Sequence, residues 1–173
     1  LLEIPEDSPR LQGLLRHYHG AARLMTVDNH RVCVTIPLTK DWESFLGGLK
    51  KSARRDTLYY RRFAEKNFNV ELKIYDKPGE MEKAFGDVIT VYQDRWLDEK
   101  GMTKFDTADQ YRFEKKALQA LAERGDCRIL VLYLDGRPAA AEVGLLSGKK
   151  MYGDTFCHSP RFHKYSVGNV LLG

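Results

Sequence analysis

The chain has 173 residues, 43% of them hydrophobic and 30% charged, the balance of a water-soluble globular protein rather than of a disordered or fibrous one. Lys+Arg 28 against Asp+Glu 24 leaves a formal net charge of +4, which favours anionic partners without demanding nucleic acid. Three scattered cysteines, Cys33, Cys127 and Cys157, form no CxxC pair, and no apolar run reaches the length of a membrane helix, so a disulfide scaffold, a zinc site and a membrane span are all disfavoured.

In chain order, Ser8-Pro9 offers a cap and a first helical residue for a helix to about His17, which carries Leu11, Leu14 and Leu15 on one face. Residues 23–27 and 31–38 read as a hairpin around Asp28-Asn29-His30, with Val32, Val34 and Ile36 alternating. Asp41 caps a short helix with an apolar stripe of Trp42, Phe45, Leu46 and Leu49. Ser52 then caps a second helix to about Lys66. This second helix interleaves Lys50, Lys51, Arg54, Arg55, Arg61 and Arg62 with Tyr59 and Tyr60. Cations with rings between them suit a nucleic-acid surface, but such a charge run is more often a solvated basic face over inward-packed tyrosines.

Residues 69–75 alternate Val70, Leu72 and Ile74 against polar neighbours, the pattern of a half-buried strand. Residues 80–100 follow a helical period through Met81, Phe85, Val88, Ile89, Tyr92 and Trp96. A further helix runs from a cap at Asp106 or Thr107 to about Arg124, where Gly125 stops it. Three strands close the chain, at 127–134, 137–146 and 150–157, joined by Asp135-Gly136 and Ser147-Gly148-Lys149. A basic loop then feeds a helix start. There Ser166 is the expected cap, Gly168 admits close approach to the backbone, and Arg161, His163 and Lys164 add positive potential, a setting suited to a diphosphate. An ordinary capped helix behind a solvated loop fits the same residues.

The order strand, helix, helix, three strands, loop, helix resembles the core of the GNAT (Gcn5-related N-acetyltransferase) superfamily, and in detail its CelD-like branch associated with cellulose biosynthesis. The strings that carry the resemblance are Ser52-Ala-Arg-Arg-Asp-Thr-Leu-Tyr-Tyr-Arg-Arg, Tyr92-Gln-Asp-Arg-Trp96, Leu134-Asp-Gly-Arg-Pro-Ala-Ala-Ala141 and Tyr165-Ser-Val-Gly168 with Leu171-Leu172. The usual loop pattern is Gln or Arg, two residues, Gly, one residue, then Gly or Ala. Here His163, Ser166 and Gly168 take those places, and only the last matches.

The resemblance implies an α+β fold with a mixed sheet, incomplete at its C-terminal end, in a bacterial, cytoplasmic enzyme that moves an acetyl or other acyl group from acyl-CoA to an amine of a small molecule, sugar or envelope precursor. It places the CoA diphosphate on His163, Lys164, Tyr165, Ser166, Val167 and Gly168, with no metal. It divides the chain into 1–38, a remnant of a preceding GNAT-like half as in the two-half Fem-type transferases, a helical linker at 39–66, and the acyltransferase domain at 67–173. Attack of an amine on a thioester needs a base, and Glu142 and Asp154 are the carboxylates inside the apolar segments of the meander; His158 is a further candidate, and Tyr152 a candidate pocket wall. A Fem-like aminoacyl transferase using charged tRNA and a non-catalytic binding module on a degenerate fold are the alternatives.

Overall fold

The computed structural model describes residues 34–100 and 105–172, with the backbone alone at 97–100, together with Pro9, Gly13 and Arg16. The chain divides into two units, Leu1–Phe45 and Leu46–Gly173. The expected first helix is described only at Pro9, Gly13 and Arg16, and the first strand of the opening hairpin lies outside the described residues. Where the second strand was expected, residues 34–38 form none: Val34, Ile36 and Leu38 are exposed, and among the described residues no strand pairs with them.

Helix α1 (Trp42–Gly48) begins where expected, with Asp41 Oδ1 accepting from the Ser44 amide at 2.7 Å. Helix α2 (Lys51–Asn67) starts one residue before Ser52, so this serine lies in the first turn and does not cap it; no side chain does. Strand β1 (Val70–Tyr75) follows, and after a short 3₁₀ turn come α3 (Met81–Lys100) and α4 (Ala108–Glu123). Thr107 caps α4, its hydroxyl accepting from the Gln110 amide. The C-terminus of α4 closes with paired bonds from Gly125 N to Ala122 O and Asp126 N to Leu121 O, the two-bond pattern of a glycine-ended helix.

Strands β2 (Cys127–Leu134), β3 (Arg137–Ser147) and β4 (Lys150–His158) form an antiparallel meander, and β1 joins it to give the order β1-β2-β3-β4. The class is α+β, as expected, with every strand pairing in the described sheet antiparallel. The β2–β3 turn works because Asp135 and Gly136 both take positive φ, 50° and 76°, the twist a two-residue hairpin needs and glycine supplies most easily. Asp135 also fixes the start of β1. Its carboxylate accepts from the Asn69 amide at 2.8 Å, and its own amide donates to the Asn69 carbonyl at 3.0 Å.

Alternation along the strands splits the core in two. One face packs Ile129, Val131, Ala141, Val143 and Cys157 beneath Met81, Phe85, Val88 and Val91 of α3 and Leu118 and Ala122 of α4, all buried. At about 1.5–3 kcal/mol for each fully buried large side chain, this face dominates the stability. The other face packs Leu132, Leu134 and Ala140 beneath Ala64 of α2 and Val167, Val170 and Leu171 of helix α5 (Val167–Leu172). Its cover reaches only one end of the strands. Beyond it Leu72 and Ile74 of β1 and Met151 and Phe156 of β4 stay about half exposed.

Candidate functional site

Glu142 stands on this second face, in the middle of β3, opposite Leu130 on one side and Phe156 on the other. Its carboxylate leans over Gly153 of β4: a side chain added there would begin 2.9 Å from Oε1. The missing Cβ is therefore what makes room for the acid. Oε2 is buried and has no hydrogen-bond partner. An acceptor oxygen in that state costs free energy that only a donor can return. Burial pushes the Glu142 carboxyl above its ordinary value, which moves it toward the range in which a base works.

His158 lies on the same face, two residues beyond Phe156 along β4, where alternation makes it a diagonal neighbour of Glu142 at roughly 7 Å between backbones. Burial, and then the positive charge of Arg95, push its imidazole below its ordinary value, so it is a neutral donor and acceptor near pH 7. Phe156 lies between them in sequence, its ring centroid 6.2 Å from that of His158.

Asp154 does not join this group. Thr155 pairs with Val143 and Gly153 with Gly144, so Asp154 is the extra residue of a β-bulge. It is exposed, accepts from the Thr155 hydroxyl at 2.8 Å, and its charge reaches Cys127 in the core of the opposite face. Burial first and Asp154 second push that thiol up to about 11. The expectation of a buried strand carboxylate thus holds for Glu142 and not for Asp154, because the bulge takes Asp154 out of the alternation. Tyr152, the expected pocket wall, is about half exposed and paired with Leu145, which packs on the opposite core.

The loop from β4 to α5 is a 3₁₀ turn, Pro160–Tyr165, followed by Ser166 in the left-handed region at φ 48° and ψ 47°. Ser166 caps α5 through its carbonyl, which accepts from the Asn169 and Val170 amides; its hydroxyl accepts from the Asn169 side chain at 2.9 Å instead of from a backbone amide. The amides of Val167 and Gly168 come first in α5 and precede any carbonyl of their own helix within reach. Val167 itself is fully buried. Gly168 is demanded by a neighbour: a Cβ there would stand 2.9 Å from Cζ of Phe156.

The cations of the loop are largely engaged. Arg161 Nη2 pairs with Asp94 Oδ1 at 2.9 Å, and Lys164 lies over the rings of Phe63 and Tyr165. Tyr165 stacks on Phe63 and meets Phe68 edge to face. His163 is exposed, and its carbonyl accepts from the Ser166 amide. The tyrosines of α2 do not pack fully inward: Tyr59 is 57% exposed and stacks on Phe63, beside exposed Arg55 and Arg62.

Sequence reading missed two polar groups. Asp94 binds both Ser159 and Arg161, and nothing in the helical period of α3 separates it from a solvated acid. On the opposite face, Tyr133 donates to Asp87, Tyr75 and Tyr133 share a 2.7 Å hydrogen bond, and Lys83 donates to Asp87 at 2.7 Å. Burial and the Asp87 hydrogen bond push the Tyr133 hydroxyl far up. Among the described residues no group of three His, Cys, Asp or Glu side chains is placed to hold a metal, and no helix is long and apolar enough to cross a membrane.

Compared with known proteins, residues 51–173 match a family model described as Acetyltransferase (GNAT) domain. Among solved structures, a GCN5-related N-acetyltransferase from Kribbella flavida is similar at 14% identity and a TM-score of 0.38, over 60% of this chain and 25% of that one. The chain thus spans about a quarter of the length of that solved chain. No curated protein matches.

Proposed function

Since its residues 51–173 match that family, the chain belongs to the GNAT acetyltransferases, and from this premise we propose that it transfers an acetyl or other acyl group from acyl-CoA to an amine, with Glu142 as the base. The observation that carries the reading is the Glu142 carboxylate: half-buried, raised in pKa, and with one oxygen that lacks any donor. An amine or ammonium N–H is the donor it lacks, and removal of that proton is what readies the nitrogen for attack. The acyl-CoA supplies an activated acyl carbon as its thioester. Neutral His158, on the same face, orients the acceptor or receives the proton in turn.

The residues proposed to hold the CoA diphosphate are His163, Lys164, Tyr165, Ser166, Val167 and Gly168. The Gly168 amide near the start of α5 and exposed His163 suit an anion, whereas Val167 is fully buried; Arg161 and Lys164 contribute less than their charge promises, because Asp94 and two aromatic rings already engage them. We place the acceptor among small-molecule, sugar or envelope amines, in a cytoplasmic, CelD-like branch related to the Fem-type transferases, with 1–38 as the remnant of a preceding half and 39–66 as the linker before the acyltransferase domain at 67–173.

Acetyl-CoA titrated into the protein by calorimetry tests the reading, followed by thiol release across a panel of amines. The expected result is saturable binding and turnover with at least one amine class. No heat at millimolar acetyl-CoA removes it. A Fem-like reaction on charged tRNA is the second reading, favoured by exposed Lys50, Lys51, Arg54, Arg62 and Tyr59 along one helix. It requires a tRNA complex that weakens steeply with salt. A non-catalytic module is the third, favoured by the engaged loop cations; it predicts that Glu142→Gln changes no measurable activity.

A further inference from the structure

Resting on the acyl-CoA reading above, we infer that Asp94 of α3 is a positioning residue that holds the β4–α5 loop in the shape that receives the CoA diphosphate. Its two carboxylate oxygens take two different donors from that loop. Oδ2 accepts from the Ser159 hydroxyl at 2.8 Å, and Oδ1 accepts from Arg161 Nη2 at 2.9 Å. Ser159 is fully buried, its amide donates to the Ala139 carbonyl at 2.8 Å, and its hydroxyl oxygen also accepts from the Arg161 amide at 3.3 Å. One side chain therefore ties the long helix, through Ser159, to the last residue before the loop and to the backbone of β3.

The loop itself has little to hold it. Its 3₁₀ turn is kinked at Phe162, with φ −110° and ψ 16°, and ends in the left-handed Ser166, a conformation that persists in a non-glycine residue only where surroundings enforce it. Its far end is held by rings, Phe162 and Tyr165 against Phe68 and Tyr165 against Phe63. Its near end is held by Asp94. Without that tie, the near end of residues 160–166 keeps only its local backbone bonds and the Ser159–Ala139 bond, while α5 stays fixed in the core, so the segment that carries Arg161 and His163 loses its set position beside the start of α5. The two arms are unequal. Arg161 is 72% exposed, so its ion pair is screened by water, while the Ser159 arm is shielded and charge-assisted.

The experiment compares wild type with Asp94→Ala, Asp94→Asn, Ser159→Ala and Arg161→Ala. It reads amide exchange at 161–168 without ligand, the Kd of CoA by calorimetry, and kcat and KM for acetyl-CoA. Asp94→Ala and Ser159→Ala should weaken CoA and raise KM about tenfold or more, the scale of one lost charge-assisted hydrogen bond, with kcat within about threefold of wild type. Exchange at 161–168 should quicken in both. Asp94→Asn keeps an acceptor for Ser159 and should recover most of the affinity; Arg161→Ala should cost only about two- to threefold. The inference is overturned if wild type binds CoA and Asp94→Ala binds it equally well, or if kcat falls and KM does not move. If Asp94→Ala does not fold, Ser159→Ala decides it: exchange at 161–168 and a CoA Kd both equal to wild type overturn the tie. If wild type binds no CoA, the acyl-CoA reading fails and takes this role with it, an outcome distinct from an unmoved variant.

Discussion

The face of the sheet beneath α3 and α4 and the face beneath α2 and α5 are built on the same four strands, yet one is closed and the other is open over half its length. On the closed face the inward positions are buried from Tyr75 through Ile129, Val131, Tyr133, Ala141 and Val143 to Cys157, and the Tyr75, Tyr133, Asp87 and Lys83 cluster beside them is satisfied within itself. On the open face, cover stops at Leu132 and Ala140, and past it a carboxylate stands with an unmet oxygen between half-exposed apolar side chains. The difference separates two kinds of buried polarity. A complete network supports a scaffold, whereas an incomplete one marks a place where something else must complete it.

The largest effect expected on this contrast comes from Glu142→Gln, which should lower kcat/KM for acyl transfer by about 10²- to 10⁴-fold, the range of a lost general base. Stability should move the other way. The folded-state pKa of Glu142 lies above the ordinary value of 4.5, so the folded protein binds this proton more tightly than the unfolded chain. The stability it contributes is present below about pH 4.5 and is lost as pH rises through the folded value. The glutamine variant should accordingly outlast wild type in urea near pH 8, the gap closing toward pH 4, and the acidic limb of the wild-type rate profile should lie above the ordinary glutamate range. Equal activity in both proteins would remove the distinction between the faces.

Next in size, Phe85→Ala on the closed face should cost about 3–5 kcal/mol in urea unfolding, while Ile74→Ser on the open face should stay within about 1 kcal/mol. Tyr133→Phe deletes the donor to Asp87 and leaves Tyr75 one partner short, at about 1–3 kcal/mol by the same measurement. Smallest is Gly168→Ala, which presses a methyl against the Phe156 ring for about 1 kcal/mol; Phe156→Leu in the same chain should recover most of it.

Much of the framework was legible in the sequence because its signals are local. Asp135-Gly136 specifies a turn by its backbone freedom, the apolar run from Cys127 to Leu134 specifies a strand buried on both faces at one end, and the 3.6-residue spacing of Met81, Phe85 and Val88 specifies the face α3 turns inward. Glu142 was legible as a carboxylate amid apolar strand residues. Asp154, with the same sequence signature, came out differently because a bulge is a property of two strands in register and not of either alone. Ser52 failed as a cap because α2 begins one residue earlier, and Ser166 gives its carbonyl rather than its hydroxyl to α5. Asp94 was hidden because its partners lie 65 and 67 residues away. The charge of the loop was overestimated for the same reason, since the neighbours that engage Arg161 and Lys164 come from distant elements.

The reciprocal bonds between Asn69 and Asp135 join residues 66 apart, whereas β2, β3 and β4 are joined by turns of two residues. Closing the longer span costs more chain entropy before any contact rewards it, so the meander should assemble first and β1 should dock onto a sheet already formed. In a refolding experiment, substitution of Gly136 in the turn should slow the forward rate, and substitutions in β1 or at Asn69 should chiefly hasten unfolding. The carboxylate at 135 would then act as a latch that is set last.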